Sequence, residues 1–235
     1  MRGTVGLLSF AWLAAALAAG GCSMFDQVGG GELSFGLPPA TFRIDTTDSR
    51  WWPSPPTGVP QVVCRGPAAL VTDCCQPPPP MAAVDCQEYP LSCADDAMCA
   101  LAFDYDDAEE IDLGSVPALQ DQRRSVLAQA TVEQIDTQVE VADAGALPLR
   151  ASSLYVAPQG TSSASATGAI FLAAIPLTSG TVNLAASAQL AFSAFLMDFN
   201  TPFVLILSTH AVVESGPAPT GTVTIVVNGR VKASF

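Results

Sequence analysis

Basic residues are scarce in this chain, with 9 Lys and Arg against 22 Asp and Glu in 235 residues and a formal net charge of −13. Such a surface repels phosphate backbones, which excludes nucleic acid as a partner, and it argues against electrostatic adhesion to anionic headgroups. Histidine occurs once, at position 210. His210 falls mid-strand on the same face as Val204, Ile206 and Val212, whereas a Ser-His-Asp hydrolase sets its histidine beside an activated serine at a loop edge. The G-x-S-x-G, H-E-x-x-H, G-x-G-x-x-G and P-loop patterns are all missing. The expectation is therefore a protein that is not an enzyme. No internal repeat is present, and no apolar run reaches the ~20 residues of a spanning helix.

What is there begins at the N-terminus. Arg2 precedes an apolar run from Leu7 through Leu17 that closes in Ala-Ala-Gly-Gly, the charged-then-apolar-then-small layout of a secretory signal. Ala19-Gly20-Gly21-Cys22 then sets small residues ahead of the first cysteine. This stretch resembles the lipobox of bacterial lipoproteins, although Ala19 stands where Leu is commonest. The resemblance covers about two dozen residues and implies diacylglycerol on Cys22, followed by cleavage before it. It divides the chain into a signal peptide, 1–21, and a lipid-anchored flexible tether, 22–39, whose three consecutive glycines favour coil. Ser23, with no acidic residue at that place, resembles lipoproteins sent to the outer membrane. The implied location is the bacterial cell envelope, and the implied membrane attachment is through acyl chains. The other reading is an ordinary signal cut near Ala19 that leaves Cys22 a thiol.

Cysteine parity bears on that choice. Cys64, Cys74, Cys75, Cys86, Cys93 and Cys99 lie within 36 residues, and Cys22 is the odd seventh. Acylation of Cys22 leaves an even set for disulfides in an oxidising compartment. Zinc sites bring their ligands in close pairs, but the gaps here are nine, none, ten, six and five residues, with no histidine nearby. Three disulfides are therefore expected. Pairings that join adjacent Cys74 and Cys75 are strained, and the others stay open.

Beyond the tether, the segment 40–63 is read as a first strand and a proline-rich linker. Phe42 and Ile44 alternate with Arg43 and Asp45, the period of a half-buried strand, and "WWPSPPTGVP" breaks regular structure. Residues 64–99 form a disulfide-stapled insertion, and 100–235 the main domain. Leu101, Phe103 and Tyr105 share a face, as do Ile135, Thr137, Val139 and Val141. Ser115 followed by Pro117 reads as a helix start. "GAIFLAAIP" is continuously apolar and is expected to be buried on both faces. Phe192, Phe195, Leu196 and Phe199 make a helical stripe, "FVLILSTHAVVE" returns to strand, and Asn228-Gly229 between two β-prone runs signals a hairpin turn. Seven or eight strands with one or two short helices give a mainly β fold, an antiparallel β-sandwich. An outer-membrane barrel would need more strands of about ten residues than the chain offers.

Two features carry functional colour. "DYDDAEEID" packs six acids into nine residues, and Asp104, Asp106, Asp107 and Glu109 offer hard oxygen ligands for calcium, although Glu109 stands where an EF-hand loop requires glycine. The bland alternative is a solvated acidic strand edge and turn. Trp51 and Trp52 are candidates for an interface anchor, against the alternative of capping a core. Two functions follow: a non-catalytic envelope lipoprotein displaying a sandwich to a protein partner, or a carrier of a lipid or other apolar ligand. The carrier is suggested by the Ala, Leu and Phe content between 168 and 213.

Overall fold

A computed structural model describes residues 31–45, 58–64, 70–77, 79–81, 83–87, 89, 91–93, 98–120, 127–142, 149–216 and 221–234. Within them the chain is a sandwich of two antiparallel sheets. The first sheet contains β1 (Glu32–Gly36), β2 (Ala40–Asp45), β5 (Gln129–Ala142), β8 (Gly180–Val182) and β10 (Thr222–Ser234). Its order is β1-β10-β5-β8, with β2 also paired to β10. The second sheet runs β3-β4-β9-β6-β7. Its strands are β3 (Leu91–Cys93), β4 (Cys99–Ile111), β6 (Leu149–Pro158), β7 (Ile170–Ile175) and β9 (Phe203–Glu214).

Alternation produces the core. Phe42 and Ile44 on β2, Ile135 on β5, and Val223, Ile225 and Val231 on β10 point inward from the first sheet, against Leu154, Val156, Phe203, Leu205 and Leu207 from the second. At roughly 1.5–3 kcal/mol for each fully buried large aliphatic or Phe side chain, this layer is the main favourable term. The α-helix α3 (Ala186–Met197) closes one side of the sandwich by packing on both β5 and β7. Its alanine-rich sequence favours helix, and the expected stripe is its buried face: Phe192 and Leu196 are fully buried, and Phe192 meets Phe203 edge-on with ring centroids 5.7 Å apart.

Several expectations need correction. Residues 32–36, assigned above to the tether, form β1, and Phe35 within it is buried. The second sheet also reaches into the cysteine segment, which supplies β3 and the first residue of β4 and holds a small core of its own around Val59, Val84, Leu91, Leu101 and Val213. The acidic run continues as one strand to Ile111 instead of turning. Asp112 then caps a 3-10 turn at Leu113–Ser115 by accepting the Gly114 N–H at 2.8 Å. Ser115 does not cap the next helix, α2 (Pro117–Gln120), because its hydroxyl donates to the Asp112 carbonyl. "GAIFLAAIP" is not buried on both faces, since β7 lies at a sheet edge and exposes Ile170, Phe171 and Ala174.

Asn228-Gly229 makes no turn. β10 passes straight through it because both of its edges have partners there: β5 on one side, and on the other the segment that links β1 to β2. Leu37 donates its N–H to the Gly229 carbonyl at 2.8 Å, and its side chain lies over the bare glycine backbone. A Cβ at position 229 would sit 2.5 Å from Leu37 Cδ1. The glycine serves close approach here, not a turn conformation.

At the other edge, β8 is only three residues long and is clipped to β5 through Asp136. The Asp136 carboxylate accepts from Thr181 Oγ1 at 2.7 Å and from Gln134 Nε2 at 2.7 Å. These bonds, led by that from Gln134, hold its pKa below the ordinary carboxylate value, with Arg230 adding a smaller attraction.

Two outcomes are expected. Gly229→Ala should destabilise the protein by about 1–3 kcal/mol in urea unfolding through overpacking, and Leu37→Ala in the same chain should relieve most of the clash. A carboxylate with a depressed folded pKa contributes stability that is present above its unfolded value and lost as pH falls through the folded one. Asp136→Asn should therefore flatten the fall of melting temperature below about pH 4 and leave the neutral-pH side of the profile unchanged in slope.

Candidate interaction face

The two sheets present different outer faces. That of the first is polar and of mixed charge, with Thr131, Asp136, Gln138 and Glu140 on β5 beside Thr224, Asn228, Arg230 and Lys232 on β10. Two of its cations are matched: Arg43 Nη2 lies 3.0 Å from Asp45, and Lys232 Nζ 2.9 Å from Glu32, whose hydrogen bond and charge raise the lysine pKa. A depression of about 290 Å³ at one end is lined by Glu32, Gln129, Thr131, Glu133, Lys232 and Ser234.

The outer face of the second sheet is built in rows by strand register. Asp104, His210 and Ala151 form one row; Asp106, Ser208, Ser153 and Ala174 the next; Ala108, Ile206, Tyr155 and Phe171 the third. Part of this face is covered by the loop 159–169 between β6 and β7. Asp106 Oδ2 holds the loop, accepting from Ser163 Oγ at 2.7 Å and from the Ala164 N–H at 2.9 Å. Gln159 Nε2 donates to Glu110 at 3.0 Å. Beneath the loop, Ala164 and Ala169 pack with Ala157, Val204 and Ile206 in a small apolar cluster.

Phe171 lies at the edge-strand end of the third row and is 50% exposed, its ring edge-on to Tyr155 with centroids 5.6 Å apart. The small residues Ala174, Ser153 and Ser208 leave open ground beside it. Across that ground stands His210, whose Nδ1 is 2.7 Å from Asp104 Oδ1, with both side chains substantially exposed at 45% and 75%. Among the described residues no serine hydroxyl is bonded to the His210 ring. The buried hydroxyl pair Ser152 and Thr209, 3.2 Å apart, lies on the inner face of the same strands. The arrangement sets an exposed aromatic ring, two hydroxyls and a hydrogen-bonded histidine and aspartate on one face.

The structure separates the four acids proposed for calcium. Successive residues of a strand point to opposite faces, so Asp104 and Asp106 face outward and Asp107 and Glu109 lie on the other side. Asp104 is engaged by His210, Asp106 by the loop, and Asp107 Oδ2 accepts the Arg43 backbone N–H at 3.3 Å. The carboxylates do not converge, and the acidic-edge reading fits β4 better.

The six clustered cysteines are joined as Cys64–Cys93, Cys74–Cys99 and Cys75–Cys86. Cys22, Trp51, Trp52 and the signal segment lie outside the described residues. Sequence reading missed the Phe171 and Tyr155 pair and the bond between His210 and Asp104, which are 106 positions apart. The apolar run containing Phe171 was a visible signal, misassigned to the interior.

No family model matches the chain, and no curated protein matches it. Among solved structures, a chain of Desmodium yellow mottle tymovirus is similar with a TM-score of 0.25 and 15% identity, covering 67% of this chain and 91% of that one.

Asp106 is the anchor of the loop over this face. Asp106→Ala should cost about 1–3 kcal/mol by leaving two donors without their acceptor. Amide exchange across 159–169 should then speed up roughly tenfold or more, greatest at Ala164, with β10 amides quickened by no more than the loss of global stability.

Proposed function

We propose that this protein is a non-catalytic lipoprotein of the bacterial cell envelope, anchored by acyl chains on Cys22, in the outer membrane, and displaying its sandwich to an envelope protein partner. The outer face of the second sheet makes the contact. The observation that carries this reading is the half-exposed Phe171 braced by Tyr155 beside Ser153, Ser208 and the His210–Asp104 pair. An aromatic ring held in place by a second ring is the kind of anchor around which an interface centre forms.

Disulfide pairing supports the anchoring half of the proposal. All six clustered cysteines are used by one another, so Cys22 is the one cysteine left for another chemistry. Disulfides also suit an exported chain. The carrier reading calls for an apolar cavity, and it draws less support: the depression near Glu32 is lined by polar and charged residues apart from Ala233, and Phe192, Leu196 and Phe203 pack into the core.

The test uses full-length protein in its own membrane. A photo-crosslinker in place of Ala174 should give one discrete adduct with an envelope protein, and Phe171→Asp should abolish that adduct without lowering the melting temperature. A crosslinker in place of Thr224, on the opposite sheet, should give none. Intact mass should report acyl chains on Cys22. An unacylated Cys22 would overturn the anchoring, and a stoichiometric apolar ligand retained in native mass spectrometry would replace the display reading by the carrier.

A further inference from the structure

Two of the disulfides are packed against each other. Cys64 Sγ lies 3.6 Å from Cys74 Sγ, although each is bonded elsewhere, and the sulfurs of Cys64, Cys74 and Cys99 all lie within 4.8 Å of one another. On the other side of the cluster, Cys93 and Cys99 are directly opposite partners in the β3–β4 ladder. The Cys99 N–H is donated to the Val62 carbonyl at 3.2 Å, which leaves Cys93 and Cys99 a non-hydrogen-bonded pair, the class in which side chains approach more closely. Four sulfurs thus have two sets of close neighbours. One set is bonded in this structure: Cys64–Cys93 and Cys74–Cys99. The other is poised beside it: Cys64–Cys74 and Cys93–Cys99.

Exposure differs among the four. Cys74 and Cys99 are fully buried and Cys64 nearly so, whereas Cys93 is partly exposed. A thiolate arriving from solvent therefore meets Cys93 first, and access is one of the determinants of which sulfur is attacked.

We propose that this cluster is a site of thiol-triggered disulfide isomerisation, entered at Cys93 by a small-molecule thiolate. The incoming thiolate bonds to Cys93 Sγ and breaks Cys64–Cys93, and the electron pair leaves on Cys64 Sγ. Freed from Cys93, the Cys64 side chain turns about its Cα–Cβ bond into line with the neighbouring bridge. It bonds to Cys74 Sγ and breaks Cys74–Cys99, which leaves Cys99 as the thiolate. Cys99 then bonds to Cys93 across the ladder and expels the external thiolate unchanged. Two disulfides are present before and after, so no net oxidant or reductant is consumed.

The consequence is mechanical. In the observed pairing, both bridges run from the loop-and-helix half of the insertion, which carries Cys64 and α1 (Leu70–Cys75), to the β3–β4 hairpin. In the isomer, one bridge lies within the loop-and-helix half and the other within the hairpin. That half then loses both of its disulfide ties to the β3–β4 hairpin, while Cys75–Cys86 is untouched.

The test treats full-length protein carrying Cys22→Ser, so that no internal thiol competes, with reduced glutathione at neutral pH without oxidant. Acid quenching and alkylation precede cleavage at Arg65, the aspartates and Glu88, the last of which separates Cys86 from Cys93. The peptides linked through Cys64–Cys93 and Cys74–Cys99 should be lost in equal amounts. Cys64–Cys74 and Cys93–Cys99 should be gained to match, with little free thiol and Cys75–Cys86 intact. Cys74→Ser with Cys99→Ser, which removes the second bridge and keeps the first, should stop the sequence at its first step, with glutathione on Cys93 and a free thiol on Cys64. Conversion of the native bridges straight to free thiols, prior opening of Cys75–Cys86, or an unaltered pairing pattern would each overturn the proposal, and the parent-chain map decides even where the doubly substituted chain fails to fold.

Discussion

The first sheet depends on one strand. β10 is thirteen residues long and pairs along one edge with nearly the whole of β5, and along the other with β1 and then β2. The interruption on that second edge falls where Leu37-Pro38-Pro39 lies against Asn228-Gly229. Prolines have no N–H to donate to a ladder, so the chain must leave register there, and Leu37 bridges the gap by seating on the glycine backbone. A bulge between Arg230 and Val231 on the β5 side adds local twist at the same level. Both irregularities are thus concentrated at one height of β10, and strand pairing is regular above and below it.

The second sheet is organised differently. β9 is its centre, with Phe203 through Leu207 buried on both faces, because α3 and the first sheet cover one side and the loop 159–169 covers part of the other. An uninterrupted apolar run is what such a strand requires. The same kind of sequence in β7 ended at an edge, because hydrophobicity specifies burial only once a covering layer exists. There the covering layer stops short, and Phe171 is left at the border between core and surface.

This explains what was legible in the sequence. The alternation of Phe42 and Ile44, of Leu101, Phe103 and Tyr105, and the helical stripe through Phe192 and Leu196 were readable because a local period is enough to define the buried side. The mainly β sandwich followed from them. Asn228-Gly229 misled because its signature belongs to a backbone conformation that a partner on each edge overrides. The acidic run was read as a cluster because proximity in sequence says nothing of face, and the strand turned Asp104 and Asp106 one way and Asp107 the other. The pairing of His210 with Asp104 and the choice among cysteine pairings depended on register, which residue types alone do not encode.

The entry of the chain into the fold at Glu32 carries a last consequence. Glu32 lies ten positions after Cys22, and a fully extended chain covers at most ~3.3–3.6 Å per residue. An anchor at Cys22 would thus act as a short leash, of about 35 Å at full stretch. Because β1 pairs with the C-terminal end of β10, both ends of the chain would stay at the membrane-proximal corner. The sandwich would then ride no farther from the lipid surface than that leash extends, and a partner for it would have to come within the same reach.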